Sequence, residues 1–65
     1  MIKVYHFKGW DQLNGVMVYP PLKSTLHRIQ MIGCEVIQGS MEEVAPTALD
    51  PEGRYIGMSR SNRIQ

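Results

Sequence analysis

The first residues of the chain alternate in the manner of a β-strand. Residues 2–8 are rich in β-branched and aromatic side chains and follow the two-residue repeat of an extended segment. Tyr5 and Phe7 share one face of this strand with lysines, so both faces are predicted to be partly covered. Gly9 is expected to break or kink the strand.

A second apolar strand, residues 16–19, follows the clearest turn signal in the chain. Asn14 and Gly15 are the residue types that best tolerate the positive φ angles of a type I′ turn. We therefore predict a hairpin in which residues 10–13 pair with residues 16–19. The alternative is a wider loop that lets residues 16–19 pair directly with residues 2–7.

The next segment has the period of an amphipathic helix. Residues 22–32 are predicted to be helical, because Pro21 suits a first turn and Gly33 stands where a left-handed cap residue belongs. Apolar positions recur on one stripe, which is predicted to face the core. The stripe consists of Leu22, Thr25, Leu26, Ile29 and Ile32.

Two short elements are predicted after the helix. Residues 34–38 are a strand candidate. Ser40 and Glu43 have the S-x-x-E spacing of a capping box, which predicts the start of a short helical turn. Pro46 would end that turn quickly.

The last third of the sequence completes an α+β fold. Residues 45–49 are predicted to be irregular or a 3₁₀ turn, residues 50–53 a type I turn, and residues 54–56 a final short strand. The predicted order is β-β-α-β, with one amphipathic helix covering a small, mostly antiparallel sheet of three to four strands. We expect one compact domain over residues 1–56 and a flexible basic tail over residues 57–65.

The length of the chain limits its core. A domain of 65 residues buries only about 60% of the surface of its unfolded chain, and such small cores usually need a further stabilising device. Cys34 is the single cysteine, so an intrachain disulfide is excluded, and a homo-oligomer is one expected alternative. No signal peptide or membrane span is visible in the sequence, which predicts a cytoplasmic protein without a membrane partner.

Charged residues are segregated along the sequence. Residues 1–33 contain four lysines and arginines and one acid, residues 34–53 contain five acids and no lysine or arginine, and residues 54–65 contain three arginines. Such segregation can steer a partner toward one surface. The alternative is that the blocks interleave in the folded chain and cancel.

The sequence predicts no catalytic, cofactor or metal site. His6, His27 and Cys34 are too widely spaced to resemble a zinc motif. Cys34 follows the predicted helix at its negative end, a location that disfavours a reactive thiolate, so a small buried apolar role is favoured. Glu42 and Glu43 are a pair of neighbouring carboxylates, but adjacent side chains point apart, so we do not expect them to act together as a catalytic pair.

Binding to another protein is the favoured function, as a regulator or inhibitor and in one alternative as a homodimer. Tryptophan, tyrosine and methionine are enriched at interface centres, and an exposed methionine offers adaptable contact surface. One predicted contact surface consists of Trp10, His27, Arg28 and Met31. An alternative surface is acidic and consists of Glu42, Glu43 and Glu52. The second functional hypothesis is a nucleic-acid-binding regulator that uses the basic tail and the bases of the predicted helix, Lys23, His27 and Arg28.

Overall fold

The described part of the chain contains two three-stranded antiparallel sheets and a short helix. The computed structural model describes residues 1–57, so all but the first residue of the predicted tail lies outside the described residues. The elements in chain order are β1 (Ile2–Tyr5), β2 (Phe7–Asp11), β3 (Val16–Val18), β4 (Ser24–Thr25), α1 (Leu26–Met31), β5 (Glu35–Val36), β6 (Glu42–Val44) and a 3₁₀ turn (Pro46–Ala48). One sheet has the strand order β4-β1-β6 and the other has the order β3-β2-β5.

The α+β class is confirmed, but the finer architecture is different from the prediction. Residues 1–57 contain six short strands in place of three or four, and these strands form two sheets in place of one. The β-β-α-β order and the covering of one sheet by the helix are therefore not confirmed.

The predicted first strand is split at His6 into β1 and β2. Ser40 provides the reason, since its Oγ accepts a hydrogen bond from His6 N at 3.0 Å and thereby replaces a sheet partner. His6 O in turn accepts from Ile37 N at 2.9 Å. The two halves pair with different neighbours: β1 with β4 and β6, and β2 with β3 and β5. The chain thus changes sheets at this residue.

The predicted hairpin forms between β2 and β3, but its turn is wider than expected. Residues 12–15 make a four-residue loop, and the type I′ prediction is wrong because Asn14 does not have a positive φ. Gly15 alone in this loop does, at 65°. The carboxylate of Asp11 sets the loop by accepting hydrogen bonds from Leu13 N at 3.0 Å and from Asn14 Nδ2 at 2.7 Å.

The helix begins four residues later than predicted. Residues 22–23 are not helical, and Ser24–Thr25 form β4, which pairs with β1. The side chain of Thr25 then caps the helix by accepting a hydrogen bond from Arg28 N at 3.2 Å. The helix is therefore only six residues long.

The predicted cap at the end of the helix is confirmed. Gly33 has a φ of +75°, which a glycine adopts without steric cost. Gly33 N donates to Gln30 O at 3.2 Å and Cys34 N donates to Ile29 O at 3.0 Å, the two hydrogen bonds of a Schellman motif. These bonds fix the direction in which the chain leaves the helix.

The apolar core is small and does not contain most of the predicted helical stripe. Of that stripe only Ile29 is buried, whereas Leu26 is 43% and Ile32 48% exposed. A six-residue helix has fewer than two turns, so one stripe position faces the core. The buried apolar residues are Val4, Phe7, Ile29 and Val44.

The strand predicted after the helix is confirmed in part, and the capping box is wrong. Glu35–Val36 form β5, which pairs with β2. Ser40 caps no helix, because Glu42–Val44 are strand β6 against β1. Its hydroxyl instead donates to Ile37 O at 2.6 Å.

The last described segment matches the prediction more closely. Pro46–Ala48 form the 3₁₀ turn. Gly53 N donates to Asp50 O at 3.0 Å, which closes the predicted turn over residues 50–53. The predicted final strand is reduced to two isolated bridges, in which Arg54 lies opposite Ser24 and Tyr55 opposite Leu49.

Candidate protein-binding groove

An open groove lies between the β2–β3 hairpin, the segment after β3 and the helix. Its volume is about 520 Å³, within the range of ligand pockets in general. Most of its wall is apolar. The residues that matter for its chemistry are Trp10, Val18, Pro21, Arg28, Ile32 and Arg54.

The hairpin wall of the groove contains side chains that the fold leaves exposed. Trp10 lies on β2 opposite Met17 of β3, and it is 60% exposed. Val18 lies opposite Gly9 in the same register, so it is on the other face of the hairpin from Trp10, and it is also exposed. The apolar side chains of this wall do not belong to the buried core, since every residue of β3 is exposed.

Gly9 allows the hairpin to approach the end of the helix. A Cβ atom placed on Gly9 would lie 2.8 Å from Cys34 Sγ, which is closer than side-chain atoms normally approach. Cys34 also lines the groove and is half-buried. The predicted small apolar role fits this contact, although the side chain is less buried than expected.

The cationic end of the groove contains Arg28, whose charge is not neutralised by an ion pair within residues 1–57. Its Nη1 donates to Ser24 Oγ at 3.2 Å, and Ser24 is fully buried. A guanidinium group has five N–H donors, so this one bond leaves most of them available. Arg28 is thus a positioned and uncompensated cation in an apolar groove.

Arg54 lines the same groove but is already engaged. Its Nε donates to Asp50 Oδ2 at 2.6 Å, and its Nη2 lies 3.6 Å from Glu52 Oε1. The hydrogen bond from Arg54 N, followed by the one from the Arg54 side chain, holds the pKa of Asp50 below its usual value. The hydrogen bond to Asp50 in turn raises the pKa of Arg54. Arg54 therefore serves mainly to hold the turn over residues 50–53.

The structure brings together two of the four residues in the predicted Trp10 surface. Trp10 and Arg28 line the groove. His27 and Met31 are exposed on the helix and are not among the groove-lining residues. The combined surface predicted from the sequence is therefore divided between the groove and the outer side of the helix.

The predicted acidic surface is divided as well. Glu42 forms an ion pair with Lys23 at 3.0 Å, and Glu52 lies near Arg54. Glu43 is exposed on β6, opposite Lys3 of β1. The charged blocks of the sequence interleave at these positions, as the alternative interpretation expected.

Several groove residues were not predicted from the sequence. The sequence pattern predicts a strand at Val18, a helix start at Pro21 and a buried stripe position at Ile32, and none of these predicts a groove. The available signal in the sequence was that residues 16–18 contain no polar side chain, whereas a strand with one solvated face usually alternates apolar and polar residues. Ser24 gave no local signal, since its role depends on packing between β4 and the helix.

The described part of the chain offers little for a metal site or a membrane-spanning helix. Residues 1–57 contain no group of three or more His, Cys, Asp or Glu side chains placed to hold a metal ion. No helix within the same residues is long and apolar enough to cross a membrane. Comparison of the chain with protein-family models, curated proteins and solved structures gives no match.

Proposed function

We propose that this chain is a small non-enzymatic protein-binding module, a cytoplasmic regulator or inhibitor that acts by holding a segment of another protein in the groove. One observation carries the proposal: the exposed Trp10 and Arg28, which has no ion pair within residues 1–57, line the same open apolar groove. Tryptophan and arginine are the residue types that most often dominate binding energy at protein interfaces.

The groove also indicates the chemistry of the bound segment. Trp10, Pro21 and Ile32 offer an apolar wall, which favours an apolar side chain of the partner. The guanidinium of Arg28 favours a carboxylate, with which it can form two parallel hydrogen bonds. We therefore propose that the partner segment contains an acidic residue next to an apolar one.

The test uses the purified chain to capture partners from lysate of the native host, followed by titration calorimetry with each purified partner. Arg28→Gln keeps a polar side chain but removes the charge. Loss of hydrogen bonds to a charged group costs about 1.5–3 kcal/mol, so affinity should fall roughly ten- to hundredfold. Trp10→Ala should weaken binding by a similar factor.

The neighbouring residue provides a matched control. His27 is exposed on the same helix and does not line the groove, so His27→Gln should bind like the wild type. Equal affinity of Arg28→Gln and the wild type for every captured partner would exclude the groove as the binding site. Equal losses in both variants would show that the helix as a whole, and not the groove, makes the contact.

Nucleic-acid binding is the second candidate, favoured by the exposed Trp10, which can stack on a base, and by the free charge of Arg28. One of the helix bases predicted for this function, Lys23, is instead paired with Glu42. A salt titration with single-stranded oligonucleotides separates the two proposals. Binding that weakens steeply with salt and is lost on deleting residues 57–65 would favour nucleic acid.

A further inference from the structure

We infer that a second copy of this chain binds along the free edge of β3, by antiparallel strand pairing about a twofold axis at Met17. The second copy would bind the free backbone edge of β3, whereas the groove partner would bind between the hairpin and the helix, and Val18 is the residue that both surfaces share. The inference therefore goes beyond the proposed function.

The edge of β3 is open. Within residues 1–57 this strand pairs with β2 only, so its other side presents unpaired backbone N–H and C=O groups. Proteins usually protect such an edge by keeping the strand very short or with a lysine, a proline or a bulge, and of these devices β3 has only its length of three residues. Val16–Val18 contain no charge and no proline, and Pro20 follows only after Tyr19. The strand is therefore available for pairing.

Both faces of β3 are apolar. Val16 and Val18 point to one face, while Met17 points to the other, beside Trp10 of β2. All four side chains are at least 41% exposed. An uninterrupted apolar strand is typical of strands that are covered on both faces. Neither face is fully covered by the described part of this chain, so β3 offers apolar surface on both sides of its free edge.

The sequence of β3 is suited to a copy of itself. Antiparallel pairing about Met17 places Val16 opposite Val18 of the second copy, and Met17 opposite Met17 of the second copy. A symmetric interface requires such self-complementarity, and it brings no like charges together because this strand has none. The second copy also adds apolar burial to a chain with only four buried apolar residues among those described.

Sedimentation equilibrium of the wild type tests the association. The average mass should rise with concentration from 7.4 kDa toward twice that value. Met17→Lys places two ammonium groups opposite each other across the twofold axis and should weaken dimerisation at least tenfold. The control is Met31→Lys, because Met31 is 73% exposed on the helix, away from β3, and should leave the dimer unchanged.

Disulfide trapping locates the axis and does not depend on how well Met17→Lys folds. In a Cys34→Ser background, Met17→Cys should form a cross-linked dimer much faster than Leu13→Cys, although Leu13 at the hairpin tip is 97% exposed. A wild type that stays monomeric up to ~1 mM overturns the inference. A dimer in which position 17 cross-links no faster than position 13 overturns the assignment to β3.

Discussion

The hydroxyl of Ser40 holds the bend at which the chain passes from one sheet to the other, and Ser40→Ala tests this role. Ser40 Oγ accepts from His6 N at 3.0 Å and donates to Ile37 O at 2.6 Å. His6 O lies 3.4 Å from the same hydroxyl, but the single proton is committed to the shorter bond. Alanine removes both short bonds and leaves the volume of the site nearly unchanged.

The expected cost follows from the two bonds. Each net hydrogen bond contributes about 1 kcal/mol, and a partly buried donor left without a partner costs more, so Ser40→Ala should lose about 2 kcal/mol. A core of this size rarely supplies more than ~3–5 kcal/mol, so the loss is a large fraction of the stability. The midpoint of thermal unfolding should fall by roughly 8–16 °C.

Urea unfolding at one fixed protein concentration measures this loss, because self-association would make the stability depend on concentration. Ser40→Thr keeps the hydroxyl and should retain most of the stability. Thr47→Ala removes a hydroxyl from an exposed position of the 3₁₀ turn and should have little effect. A loss below about 0.5 kcal/mol for Ser40→Ala would refute the role of the hydroxyl, since solvent would then replace both bonds.

Two further predictions concern the contacts that shape the groove and the turn beside it. Gly9→Ala should destabilise the wild type, because its Cβ would lie 2.8 Å from Cys34 Sγ, and should be tolerated in a Cys34→Ala background. A double-mutant cycle by urea unfolding should give a coupling of about 1 kcal/mol, whereas additive effects would contradict the contact. The pKa of Asp50 lies below its usual value of 3.8, so its carboxylate stabilises the fold above that pH and loses this contribution as the pH falls through the folded-state pKa. The thermal midpoint of Asp50→Asn should consequently fall less on acidification than that of the wild type. Parallel curves of thermal midpoint against pH for the two proteins would count against a stabilising contact between Asp50 and Arg54.

Local signals in the sequence identified elements whose cause is also local. Gly33 ends the helix because its positive φ and the two hydrogen bonds of the Schellman motif involve residues within one turn. The β2–β3 hairpin likewise needs only neighbouring residues and a glycine in its loop. The class of fold was predictable for the same reason.

The sequence predictions that are wrong concern residues whose structure depends on contacts with residues far away in the chain. Ser24 and Thr25 fit the helical period, but they pair with β1, about twenty residues earlier in the chain, and delay the start of the helix. Ser40 and Glu43 have the spacing of a capping box, yet the hydroxyl bonds to His6, 34 positions away. A periodic pattern cannot show which distant backbone competes for the same residue.

The groove also depends on contacts between distant residues. If β1 and β2 continued as one strand, Trp10 would extend the β4-β1-β6 sheet and would not line the groove with Arg28. The bend at His6 sends β2 into a second sheet, and Gly9 then lets that sheet approach the end of the helix. Hence Trp10 and Arg28, which are far apart in sequence, line one groove because the Ser40 hydroxyl holds the bend and because Gly9 has no Cβ atom. Ser40→Ala should therefore weaken partner binding as well as the fold, although Ser40 does not line the groove.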